Sequence, residues 1–134
     1  MKDKRQRLQA EFTVLKLLVA GLHQAGVPLL AGTDDMVPCQ LPGSSLQDEF
    51  ELLFSAGLTP REVLETATVN AARFLDKPEV SGSIEVGKTA DLVLLNANPL
   101  DDVDNAFRQE GLMLRGTWYS EAWLQAQLVK AGAP

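Results

Sequence analysis

The side chains in this sequence best suited to chemistry are carboxylates grouped behind one short apolar run. Asp34 and Asp35 follow Ala25-Gly-Val-Pro-Leu-Leu-Ala-Gly-Thr33, Asp48, Glu49 and Glu51 come soon after, and no basic residue stands between Lys16 and Arg61. A carboxylate can ligate a hard or borderline cation or serve as general base, and an acidic lobe concentrates cations. Carboxylates in a helix's first turn also complement its dipole, so Asp48, Glu49 and Glu51 read first as a solvated helix face. His23, Asp34 and Cys39 are all permissible zinc ligands, and three ligands plus water form a catalytic zinc pattern. His23 precedes the apolar run and Asp34 ends it, however, so about seven extended residues, or ~20 Å, should separate them. His23 is therefore expected to meet the last carbonyls of a helix. Cys39, with no histidine near it in sequence, is expected to be a small, partly buried apolar group.

The elements that position these groups follow from the pattern around them. Val27 to Ala31 carry no polar side chain on either face, as in a strand covered on both sides in a parallel sheet. Thr33 and Asp34 then stand at its C-terminal end, where α/β sheets and barrels keep their chemistry. Pro28 removes a ladder donor and belongs at the strand's start. Upstream, Leu8, Phe12, Leu15, Val19 and Leu22 make an amphipathic helix that Gly26 ends. Downstream, Met36 to Gly43 form an irregular loop, a pocket wall or lid, stiffened by Pro38 and Pro42.

Ser44 then starts a helix with Leu46, Phe50, Leu53 and Phe54 inward, and Gln47 or Asp48 is placed to return the cap bond. Thr59-Pro60-Arg61-Glu62 is a fuller start signal: cap, proline at the first helical position, glutamate at the third. That helix carries Val63, Leu64, Ala67, Ala71, Phe74 and Leu75, with a break expected at Asn70, and the two helices should pair as the most stable part. From Asp76 onward short β pieces are expected: Ile84 to Val86, then Leu92 to Leu95, apolar on both faces and so central in a sheet. A helical turn is expected within Asp101 to Phe107, a hairpin turning at Arg115-Gly116, and a closing helix over Glu121 to Lys130.

With 134 residues and 46% hydrophobic content the chain has one ordinary domain, too short for a full eight-stranded α/β barrel. Its 12 basic and 18 acidic side chains give a net charge of −6, so nucleic acid is excluded as a partner. No apolar run reaches the ~18 residues of a membrane span, and Met-Lys-Asp-Lys-Arg-Gln-Arg is not a signal peptide, so a cytoplasmic protein without membrane association is expected. The single cysteine permits no internal disulfide.

Gly26-Val-Pro-Leu-Leu-Ala-Gly-Thr-Asp34, Pro42-Gly-Ser-Ser-Leu-Gln-Asp-Glu-Phe, Ala56-Gly-Leu-Thr-Pro-Arg-Glu-Val-Leu, Ala67-Thr-Val-Asn70-Ala-Ala-Arg-Phe and Gly82-Ser-Ile-Glu-Val-Gly-Lys-Thr-Ala-Asp91-Leu-Val together resemble, in order and spacing, the C-terminal part of the amidohydrolase superfamily. The nearest branch is imidazolonepropionase-like and prolidase-like. The resemblance implies an α/β chain: the last βα unit and following helices of a TIM barrel, plus a small β element of a composite β-sandwich, looking α+β in isolation. Residues 1–78 would be barrel-derived, 79–119 sandwich strands, and 120–134 a terminal helix.

The resemblance also implies a metal-dependent hydrolase of carbon–nitrogen bonds other than ordinary peptide bonds, using zinc or another divalent metal. Asp34 matches the aspartate that touches the metal and takes a proton from the attacking water. Gln47 falls where many prolidase-like relatives carry a substrate-contacting histidine, a charge an amide cannot supply. The family's His-x-His pair, lysine and further histidines have no counterpart here. The chain is therefore expected to be a truncated amidohydrolase, inactive by itself and holding no metal tightly. The alternatives are completion by a missing N-terminal amidohydrolase segment on another polypeptide, or a non-catalytic binding module. Strands left without neighbours are further expected to drive self-association as a homodimer.

Overall fold

Helix α1 spans Lys2–Gln24 in a computed structural model that describes residues 2–34 and 44–132. Asp35, Cys39 and the expected Met36 to Gly43 loop lie outside the described residues. The end of α1 is as its glycine foretold: Gly26, at φ 76°, donates to His23 O at 2.9 Å, and Val27 donates to Leu22 O at 3.0 Å. This pair of bonds is the Schellman closure, which only a left-handed residue completes cheaply. The stripe of α1 is mostly not an inner face. Leu8, Phe12, Leu15 and Leu22 are exposed, and Val19 is the member that packs on the core.

That core lies between α2 (Ser45–Ser55) and α3 (Pro60–Ala67). Phe50, Leu53, Leu58, Val63 and Val103 form it, Val63 being 0% exposed, and Phe50 meets Phe107 edge-on at 5.3 Å. The Thr59 capping box is complete. Thr59 Oγ1 accepts from Glu62 N at 3.3 Å, and Glu62 Oε2 accepts from Thr59 N at 2.8 Å, with Pro60 at the first helical position. Ser44 stands at the cap position of α2, its carbonyl accepting from Gln47 N at 2.9 Å, without a side-chain cap bond. The break expected at Asn70 falls at Thr68, whose φ of −124° and ψ of −88° end α3 before α4 (Val69–Phe74).

The sheet is small and antiparallel. Strands β1 (Leu92–Leu95), β2 (Gln109–Leu114) and β3 (Thr117–Ser120) lie in the order β1-β2-β3, with Val93 opposite Leu112 and Leu112 opposite Tyr119. A 3₁₀ turn over Val103–Phe107 precedes β2, matching the expected helical turn. The hairpin turns at Arg115 (φ 49°) and Gly116 (φ 79°), the two left-handed residues that suit the twist of a tight hairpin. Helix α5 (Glu121–Lys130) is capped by Ser120 and packs on β2 and β3, with Tyr119 and Trp123 at 4.6 Å.

Three strand expectations need correction. Among the described residues Leu92 to Leu95 is an edge strand, not a central one, because β2 is its single partner there. Ile84 to Val86 is no strand: it lies in a turn where Lys88 reaches Glu85 at 3.1 Å, and Ile84 is 85% exposed. Val27 to Ala31 is extended but belongs to no ladder among the described residues. Its apolar pattern reports what it could bury, whereas pairing needs neighbouring strands that the described residues do not supply. The result is a mixed helical and antiparallel protein, the α+β appearance expected of the isolated chain.

Candidate functional site

Asp34 ends the extended segment Val27 to Asp34, and that segment is held by the helices. Asn70 Nδ2 on α4 donates to Leu29 O at 3.0 Å, and Ala31 N donates to Thr66 O at 3.4 Å. From Pro28 onward burial along it alternates: Leu29, Ala31 and Thr33 are half-buried, Leu29 and Ala31 against the helical core, while Pro28, Leu30, Gly32 and Asp34 are exposed, as is Val27 at the start. The period of two is that of a strand with one covered face, and Asp34 belongs to the open face. That open side includes a hollow of about 390 Å³ lined by Pro28, Leu30, Asn70, Arg73 and Phe74. Asp34 sits at φ 47°, a left-handed conformation that aspartate tolerates better than most residues with a Cβ.

Beside the segment's end lies a group that the sequence reads as part of a solvated helix face. Glu49, two turns or less into α2, accepts a hydrogen bond from the backbone of Gly32, two residues before Asp34. Burial pushes its carboxyl above the ordinary 4.5, and the Gly32 bond opposes that shift without cancelling it. Asp48 and Glu51 are exposed, so the solvated-face expectation holds for them and fails for Glu49. The acidic lobe of the sequence holds the signal without singling out Glu49. One of its members is turned toward the strand end, and only the tertiary fold says which. Gln47 is half-buried in the first turn of α2.

His23 does not meet the carbonyls of α1. Its Nε2 is 3.1 Å from Glu62 Oε1, on the capping carboxylate of α3. Two bonds from Thr59 are the main reason that the Glu62 carboxyl is held below its ordinary value, and His23 adds to them. Among the described residues no group of three His, Cys, Asp or Glu side chains converges where a metal ion could sit. Asp34 offers one carboxylate, so the described donors do not fit the family's catalytic metal. What they can do is present one carboxylate, and a second half-buried one near it, at the end of an extended segment with an open face.

The profile of the amidohydrolase family matches residues 17–119. The imidazolonepropionase of Geobacillus thermodenitrificans is 42% identical over 114 residues, covering 71% of this chain and 26% of that protein. That of Fusobacterium nucleatum is 35% identical over 79 residues, 55% of this chain and 18% of that one. Among solved structures, a Xaa-Pro dipeptidase with bound methionine in its active site superposes with a TM-score of 0.71 at 28% identity, over 78% of this chain and 25% of that one. A molinate hydrolase superposes at 0.63 with 26% identity, over 75% and 25%. The chain spans about a quarter or less of the length of these relatives.

Proposed function

Because the chain belongs to the amidohydrolase family, in its imidazolonepropionase-like and prolidase-like branch, we propose that it carries one carboxylate of a hydrolytic site for carbon–nitrogen bonds and does not hydrolyse them by itself. The observation that carries this reading is the one-sided burial of residues 28–34. In an α/β barrel each strand turns alternate side chains outward to the helices and inward to the barrel. Leu29, Ala31 and Thr33 behave as the helix-facing set, and Pro28, Leu30, Gly32 and Asp34 as the inward set. The segment thus reads as the last barrel strand, with Asp34 at its C-terminal end on the side where substrate would lie. Asp34 would be the family's metal-touching general base, Gln47 would border substrate, and the metal would be zinc or another divalent ion held with ligands from outside the described residues. No step of hydrolysis follows from the donors described here.

The test is direct. Amides, lactams and prolyl dipeptides offered to the purified chain with zinc or manganese are expected to react at the uncatalysed rate. A metal-dependent rate that vanishes in Asp34→Asn overturns the proposal.

A second reading, completion by another polypeptide, is favoured by surface area. The chain exposes 10104 Å², whereas a folded monomer of its 14.5 kDa is expected to expose about 6,900 Å². The surplus is several times the ~800 Å² per partner of a standard interface, which suits a large complementing segment better than a small ligand. Adding a polypeptide with the earlier strands and His-x-His pair of a related imidazolonepropionase should then create a rate that Asp34→Asn abolishes.

A further inference from the structure

We infer that Glu49 is a positioning residue for Asp34, its carboxyl group holding the end of the extended segment through Gly32 so that the base is presented in one fixed attitude. This deepens the hydrolase reading and rests on it, because a base needs placing only where there is chemistry for it to do. Bonds from successive helices hold the segment. Asn70 Nδ2 on α4 donates to Leu29 O at 3.0 Å, Ala31 N donates to Thr66 O on α3 at 3.4 Å, and Gly32 N donates to Glu49 on α2. Among the described residues, the Glu49 bond is the last of these anchors before Asp34.

Helix α2 can supply such an anchor because its own backbone is fixed on either side of Glu49. Phe50 and Leu53, the next residue and one turn on, belong to the buried core against which Leu29 and Ala31 also pack. Glu49 itself is half-buried and borders an apolar groove with Val19, Leu52 and Leu53, where water competes weakly for its oxygens. A Cβ at Gly32 would meet no described atom within 4 Å, so hydrogen bonding rather than packing holds the chain there. Asp34 needs the support. At φ 47° its backbone occupies a left-handed well that competes with the extended one, and fixing the peptide at Gly32 leaves Thr33 alone free to turn between them. A catalytic group misplaced by an ångström loses most of its effect.

Nuclear magnetic resonance of the isotope-labelled chain tests this without any activity. The parent should show a slowly exchanging Gly32 amide and, at Asp34, the strong amide-to-α-proton Overhauser effect that marks a positive φ. In Glu49→Leu, Gly32 should exchange about tenfold faster or more. The Asp34 effect should fall to that of an extended residue, while the core amide of Val63, bonded to Thr59 O, keeps its rate. Glu49→Gln keeps an acceptor and should restore both signals, whereas a residue that merely filled space would be replaced as well by leucine. Glu49→Asp, one methylene shorter, should behave as Glu49→Leu does and serves in its place if that variant does not fold. A parent without the positive-φ signal overturns the inference. So does an Asp34 signal that survives Glu49→Leu or Glu49→Asp, or one that Glu49→Gln fails to restore. Failure of the hydrolase reading would look different: a completed enzyme whose rate survives Asp34→Asn, with these signals unaltered.

Discussion

His23 Nε2 lies 3.1 Å from Glu62 Oε1, which joins the chain's one histidine to the capping carboxylate of α3. Glu62 thereby serves two elements at once. It closes the first turn of its own helix through Thr59 and ties that turn to the last turn of α1. The capping box is thus also a joint between α1 and the α2–α3 core.

Thr59→Ala should lower stability by about 1 kcal/mol, the usual cost of losing an N-cap acceptor. It removes the 3.3 Å bond from Glu62 N and the 2.7 Å bond that Thr59 Oγ1 donates to Glu62 Oε2. Urea denaturation of the two proteins measures the difference, and coincident midpoints would refute the cap's contribution.

The parts legible in the sequence are those decided within a few residues. Gly26 ending α1, the Thr59-Pro60-Arg61-Glu62 start, and the Arg115-Gly116 turn each need only local backbone geometry and short-range hydrogen bonds. What was not legible depends on partners far along the chain. Val27 to Ala31 announces apolar faces but not how many will be covered, and Leu92 to Leu95 reads the same at an edge as at a centre. Glu49 is indistinguishable from Asp48 and Glu51 until the fold sets it beside Gly32. Nor could spacing give His23 its true partner, which lies 39 positions away.

Two carboxyls should respond to pH in opposite senses. Glu62 is held below 4.5 in the folded chain, so its contribution to stability is present above that value and lost as pH falls through the folded value. Glu49 is pushed above 4.5 by burial, so its contribution is greatest below that value and is lost as pH rises through the folded one. At neutral pH, Glu62→Gln should therefore destabilise and Glu49→Gln should stabilise, and both differences should close as pH drops below 4.5. Denaturation midpoints across that range decide it. A Glu49→Gln protein less stable at neutral pH would mean that the Gly32 bond outweighs desolvation.

Gly111→Ala should cost about 1–3 kcal/mol, as overpacking does. Gly111 is buried in β2 under the Trp118 ring, and a Cβ there would stand 2.7 Å from the Tyr119 carbonyl oxygen and within the ring's own contact surface. The ring must move, so tryptophan fluorescence should shift together with the melting midpoint. A spectrum and midpoint equal to those of the parent would refute the close contact.

Zinc and chelators should leave the melting midpoint where it is. Binding stabilises a fold only in proportion to affinity for the folded state, and Asp34 joins no group of three metal-ligating side chains among the described residues. Differential scanning calorimetry with zinc and then with excess chelator checks this. A zinc-dependent rise of more than about 3 °C, near 1 kcal/mol for a domain of this size, would reveal a donor set beyond those described.

The left-handed backbone at Asp34 narrows which mutations selection can sample there. At φ 47° a branched or bulky side chain is strained, and glycine, asparagine and aspartate are the residues that settle without much cost. Of these three, aspartate alone supplies an anionic base. Asparagine keeps the shape and gives up the charge, so the exchange that would remove the base proposed here is also among the easiest for the fold to accept. Stability therefore gives this carboxylate no protection against drift.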